Sequence, residues 1–274
     1  MDLIRLSEDT KKKYRKKFKH KKKYNIMQYE KLIEPIIKTH TNITYDEFAN
    51  KKKFDNEKLF LLRHDIDHDF ETAMLMARWE HKHGLRATYC VLHSAWYYGI
   101  LQNGEYFHTE DLVWLCRELA GLGHEINFHN NLMTLSLQEK IDVNAVLSGE
   151  LNFLRSLGLK ITGTSSHGDR LCRALNYRNY EIFKEAVGIE FGGQRIVYSS
   201  QNNHSARVGV SSMESHGLLY EAYDIAMDAY ISDAGGAITT STEIKQRHNF
   251  LKNGQEKAGN VIGILTHPVW WDFD

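Results

Sequence analysis

From Lys58 onward, short apolar runs alternate with helical segments, and this rhythm constrains the fold more than any other feature of the chain. LFLL (59–62), ATYCVLH (87–93), HEINFH (124–129), KITGTSSHG (160–168), GLLYEAYDI (217–225), DAYISD (228–233) and VIGILTHP (261–268) read as strands. HDFETAMLMARWEHKHG and EDLVWLCRELAGLG between them read as helices closed by glycine. Further helices are expected over Leu137 to Leu157, over YRNYEIFKEAV (177–187) and over Thr242–Asn253. Strand and helix in alternation build parallel βαβ units. About seven such strands fit a distorted (β/α) barrel better than a doubly wound sheet. With 274 residues, 42% apolar and 26% charged, the chain can bury a real core in ordinary globular proportions. No G-x-G-x-x-G or Walker loop follows any strand, which disfavours a nucleotide cofactor.

Residues 1–57 differ in kind from residues 58–274, the expected catalytic domain. KKKYRKKFKHKKK, Lys11 to Lys23, carries ten Lys or Arg in thirteen positions, although the whole chain balances at 35 basic and 35 acidic residues. One reading is a solvated, poorly ordered arm; the other is contact with an anionic membrane surface. Nucleic acid is not expected, because aromatic interleaving stops at Tyr14 and Phe18 and no binding module follows. YNIMQYEKLIEPIIKTH (24–40) reads as an amphipathic helix. Cys90, Cys116 and Cys172 have no paired spacing, which suggests a reducing compartment. There is no apolar h-region and no apolar stretch of ~18 residues. The expectation is a soluble cytoplasmic protein, peripheral at most to the inner face of the membrane, of undetermined oligomeric state.

The chemistry collects where the strands end. LFLL runs into RHDIDHD, with Asp65 and Asp67; the following strands run into His93, His129, His167 and His267. In parallel α/β folds one rim gathers the strand C-termini, and functional residues concentrate there. A lone histidine at a strand end is ordinarily structural, and an aspartate there can simply cap the next helix, as Asp69 is expected to do. Asp65 and Asp67 alternate with Ile66, so both carboxylates face one side if the strand continues, and they repel unless a cation or shared proton separates them. Imidazoles with a carboxylate suit Zn²⁺ first, with Fe²⁺, Co²⁺ and Ni²⁺ as alternatives to the oxygen-loving Mg²⁺ and Ca²⁺.

The series RHDID, ATYCVLH, GHEINFHNN, SSHGD, YISDAGG and ILTHPVWW resembles the polysaccharide deacetylase superfamily, of NodB-homology or carbohydrate esterase 4-like type. It is most similar to a divergent branch associated with surface-polysaccharide biosynthesis. The likeness runs from about Leu59 to Trp271. It implies a distorted (β/α) barrel, a divalent metal, and hydrolysis of an N-acetyl or other N-acyl group on a sugar, nucleotide- or lipid-linked. It further implies Asp65 as catalytic base, Asp67 and His129 as metal ligands, and His267 as the acid. The family's adjacent Asp-Asp is split by Ile66, so base and ligand can be exchanged. Its second metal histidine is replaced by Met133, and its Arg-x-Pro-aromatic segment by SSHGDR. His167 is therefore inferred as the third ligand, with His93 as fallback and otherwise a substrate contact. Trp270 and Trp271 offer an apolar wall for substrate or plain core packing; Arg170 and Asp233 offer polar substrate contacts or a surface salt bridge and turn. His64 and His68 are expected to point away from the metal. Competing functions are another C–N amide hydrolase, such as a deformylase or cyclic amidase, and a catalytically inactive carbohydrate-binding protein.

Overall fold

The computed structural model describes residues 2–51, 57–139, 141–188, 194–199, 204–246, 248, 250 and 260–274. One nine-stranded sheet organises them: β1 (Thr41–Ile43), β2 (Leu59–Ile66), β3 (Thr88–Leu92), β4 (Glu125–Asn130), β5 (Gly163–Ser166), β6 (Tyr220–Glu221), β7 (Met227–Ser232), β8 (Thr239–Ile244) and β9 (Val261–Thr266). The spatial order is β6-β5-β4-β3-β2-β9-β7-β8. Beside β2, β1 covers Leu59–Leu61 and β3 covers Arg63–Ile66 on the same edge. Every pairing is parallel except β7 with β8. The sheet curls into a half-barrel, compatible with the expected distorted barrel and richer by two strands than the seven read from the sequence.

β2 is buried along all eight residues, the property of a parallel strand covered on both faces. Its alternation sorts two cores. Phe60, Leu62 and Ile66 join the larger cluster between sheet and helices; Leu59 and Leu61 join Tyr45, Phe48, Tyr220 and Val261 inside the half-barrel. Around the sheet lie α1 (Glu8–Lys19), α2 (Ile26–Ile37), α3 (Tyr45–Asn50), α4 (Phe70–Lys82), α5 (Glu110–Gly121), α6 (Leu132–Gln138) and α7 (Val143–Ser156). Asp69 caps α4 by accepting from Thr72 N–H, and Gly84 follows that helix at φ +70°, where only glycine is unstrained.

A polar network crosses the outer core. Glu80 of α4, fully buried, accepts from Tyr29 Oη (2.5 Å) and Tyr89 Oη (2.8 Å) and pairs with His64 Nε2 (2.8 Å). His64 Nδ1 lies 2.6 Å from Thr266 Oγ1, so β2, β3, β9, α2 and α4 meet at one carboxylate. Burial alone would raise the Glu80 pKa, but the charge and hydrogen bond of His64 hold it below its ordinary value. Glu80→Ala strands an imidazole and two phenols in the core. Urea denaturation is expected to show a loss of about 3–5 kcal/mol, against no measurable loss for exposed Glu34→Ala.

Three expected helices fall differently. The stretch Leu137 to Leu157 breaks into α6 and α7, because Asp142 accepts from the N–H groups of Asn144 and Ala145 and starts a new helix. YRNYEIFKEAV keeps only a 3₁₀ turn (Asn179–Ile182) and one α-turn (Lys184–Val187). Thr242–Ile244 belong to β8, and residues 247, 249 and 251–253 of the expected third helix lie outside the described residues. Lys11–Lys23 is no solvated arm either. α1 docks through buried Phe18, a Tyr14–Trp96 stack (4.2 Å between centroids), and ion pairs of Lys11 with Asp111, Arg15 with Glu71 and Lys22 with Asp69. The described residues before Lys58 thus share the body of those that follow, α2 through its buried face and β1 through the sheet.

Candidate metal centre

At the C-terminal rim, β2 ends at Ile66 and the chain turns tightly, Asp67 N–H donating to Asp65 C=O at 3.0 Å. Asp67 Oδ1 then faces His129 Nε2 at 3.3 Å and His167 Nδ1 at 3.4 Å, and the two ring nitrogens are 3.3 Å apart. His129 lies one residue before the end of β4, beside Ser165 of β5, whose carbonyl accepts from Nδ1 at 2.7 Å. That bond fixes the tautomer and turns the Nε2 lone pair toward Asp67. Asn179, buried in the loop after β5, donates to His167 C=O and Asn131 Oδ1 and accepts from Thr134 N–H. It thereby staples the loops that carry both histidines.

Asp67 Oδ1 is buried without a hydrogen-bond partner, an arrangement costly for a carboxylate unless a cation completes it. Donors at ~2.0–2.1 Å from a tetrahedral Zn²⁺ stand ~3.3–3.4 Å from one another, the separations found here. Asp67, His129 and His167 can hold a metal ion. Burial opposes ionisation of Asp67, but the two imidazoles hold its pKa well below the carboxylate range; His167, in turn, is raised against burial by Asp67.

Asp65 stands behind this triad. It is fully buried, with Oδ2 3.7 Å from His129 Nε2, Oδ1 3.1 Å from Arg63 Nε, and the Ser165 hydroxyl donating to it at 3.3 Å. Burial would raise its pKa; the charges of Arg63, His129 and His267 leave it lowered. Arg63 is fully buried, lies over the Tyr223 ring at 4.3 Å, and is a residue that the sequence reading left without a role. Its signal was present: Arg63, Asp65 and Asp67 share the odd register of RHDID. On the other flank, His267 follows β9 and its Nδ1 meets Asp233 Oδ1 at 2.6 Å. Burial lowers the His267 pKa, but the Asp233 bond and the charges of Asp67 and Asp65 push it up to about 9.

The remaining expected site residues fall elsewhere. His93 is not a ligand: Nε2 accepts from Asn131 N–H (2.9 Å), Nδ1 meets Tyr106 Oη (2.8 Å), and burial lowers its pKa to about 3, so it braces the loop after His129 as a neutral imidazole. Asp233 is buried and spends its oxygens on His267 and on Trp271 Nε1 (2.6 Å), so it faces no substrate surface. Trp271 is core, edge-on to Tyr29, while Trp270 is half-buried under Lys21 and Lys23. Arg170 is exposed on the short helix Arg170–Ala174 and does not line the cavity beside the triad. His64 points into the outer core and His68 stacks near Phe18, both away from the triad as expected.

A cavity of about 330 Å³ opens from His167 between the loop after β5 and the strands β6 and β7. Tyr177, Tyr180, Tyr223, Tyr230 and Phe250 give it aromatic walls, with Arg173 and Arg178 also lining it. Glu221 in its wall accepts from the Thr164 hydroxyl and Ser166 N–H, and burial pushes its pKa up to about 7. No family model, curated protein or solved structure matches the chain.

Proposed function

We propose that the chain is a metal-dependent hydrolase that removes an N-acetyl, or another N-acyl, group from a sugar in surface-glycan biosynthesis. The observation that carries the proposal is the triad Asp67, His129 and His167, whose donor atoms are spaced for one tetrahedral cation. Two imidazoles and one carboxylate favour Zn²⁺, with Fe²⁺, Co²⁺ or Ni²⁺ as alternatives. When bound, a divalent cation supplies a Lewis acid that acidifies water and polarises a carbonyl.

The chain's own groups divide the proton work. Asp65, kept ionised beside Arg63, is the carboxylate placed to take a proton from water at the triad. His267, kept protonated by Asp233, gives its proton to the departing amine, without which amide cleavage stalls. Asp233 also holds the ring in orientation through Nδ1, leaving Nε2 for the substrate. The cavity is of a size for a single sugar ring, and its tyrosine faces suit the apolar face of a pyranose.

The test is acetate and amine release from N-acetylated sugar conjugates by Zn²⁺-loaded protein, with Asp67→Ala and His129→Ala as controls. Release by the wild type alone is the expected result. Metal binding without release from any N-acyl sugar, but with cleavage of formamides or cyclic amides, would move the assignment to another C–N hydrolase. Sugar binding without metal or turnover would make the protein a carbohydrate-binding module.

A further inference from the structure

The basic helix α1 is docked at the rim of the metal centre, yet most of its lysines pair with no carboxylate among the described residues. Lys22 Nζ bonds Asp69 Oδ2 (2.5 Å), Thr72 Oγ1 (2.7 Å) and Pro268 C=O (3.2 Å), within two residues of Asp67 and one of His267. Helical periodicity puts Lys11, Tyr14 and Phe18 on the docked face and Lys12, Lys13, Lys16 and Lys17 on the opposite one. These four and Lys19 are exposed, and no carboxylate pairs with any of them among the described residues. Docking concentrates like charges that a free arm would spread apart, at an electrostatic cost that an external anion would offset.

A second feature lies beside it. Gly99–Gln102 and Glu105–His108 form a hairpin in which Ile100 and Phe107 sit opposite each other, 50% and 46% exposed. Ile4 N–H donates to His108 C=O at 2.8 Å and Glu110 N–H to Ile4 C=O at 3.0 Å, joining the segment that leads into α1 to the base of this hairpin. An exposed apolar pair next to a wide cationic face is the composition of an interfacial membrane anchor, not of a nucleic-acid groove. The aromatics of α1 itself are already used, Tyr14 against Trp96 and Phe18 in the core.

We propose that α1 and the hairpin Gly99–His108 dock the protein on an anionic lipid bilayer, with the mouth of the metal centre held beside the headgroups. The surface stands independently of the hydrolase reading; joined to that reading, it assigns the sugar to a lipid-linked carrier.

Flotation with vesicles of phosphatidylcholine alone and of phosphatidylcholine mixed with phosphatidylglycerol tests it without any turnover. The full chain is expected to float with the mixed vesicles at about 0.1 M salt, to be released at about 1 M, and to ignore phosphatidylcholine. Each lysine near an anionic leaflet changes partitioning roughly fivefold, so Lys12→Ala/Lys13→Ala/Lys16→Ala should weaken binding roughly a hundredfold. Ile100→Ser/Phe107→Ser, with its charge intact, should weaken it roughly tenfold. Each variant is compared at equal circular dichroism and equal Zn²⁺ binding, so a folding defect is seen separately. Equal binding to both vesicle types, no vesicle binding, or wild-type binding by the triple lysine variant overturns the proposal. Tighter binding to single-stranded RNA than to mixed vesicles at the same salt overturns it in favour of a nucleic acid.

Discussion

His129→Ala is expected to bind Zn²⁺ at least about a hundredfold more weakly than the wild type, and Asp67→Ala to do the same, as read by competition with a chromophoric chelator. The size follows from what each change removes. Loss of a group that merely orients a ligand typically costs 10–100-fold in metal affinity, and loss of the ligand itself costs more. Asp67 Oδ1 is the buried oxygen between the two imidazole nitrogens, so its removal also leaves His129 and His167 without their shared anion. Asp65→Asn is the discriminating control. Asp65 stands 3.7 Å from His129 Nε2 and is engaged by Arg63 and Ser165, so its amide variant should stay within about tenfold of the wild type. Equal losses for Asp65→Asn and Asp67→Ala would mean that the two carboxylates share the ion.

The His267–Asp233 pair gives the second large effect. In the metal-free protein the His267 imidazole is expected to titrate near pH 9 by NMR, and Asp233→Asn to move that titration down toward the ordinary value of ~6.5. The shift also bears on stability. Because the folded pKa exceeds the unfolded one, the wild-type contribution is complete below pH ~6.5 and disappears as pH rises to about 9. Its upper bound is about 3 kcal/mol, so urea midpoints of wild type and Asp233→Asn should converge on the alkaline side. In turnover, His267→Ala should lower kcat by roughly 10²–10⁴, the usual contribution of a positioned general acid.

Much of this architecture was legible in the residues. All seven expected strands form, because buried parallel strands are written as short apolar runs that need no context to be recognised. What escaped were elements whose stability comes from partners. TNI at Thr41–Ile43 is too short and polar to announce a strand, and it exists because the edge of β2 is open at Leu59–Leu61. TTSTEI overlaps the helix expected from Thr242 and is instead an exposed antiparallel edge strand on β7. The triad was legible because its three members end three strands that a parallel sheet must bring to one rim. Arg63 and Asp233 were harder to place, since a charge in a sequence does not declare whether it will face solvent or a buried partner. The aromatic pair Trp270–Trp271 split between rim and core for the same reason.

β9 lies between β2 and β7 although its residues follow β2 by some 200 positions. Until Val261–Thr266 are in place, one edge of β2 from Leu59 to His64 has no neighbour, and an open edge of that length and apolarity invites pairing with another molecule. Contacts of such long range are also the slow ones to form. His267 reaches the rim only with this strand, whereas Asp67, His129 and His167 come from strands that assemble earlier along the chain. A cation bound at the triad would tie the ends of β2, β4 and β5 together without any contribution from the last strand.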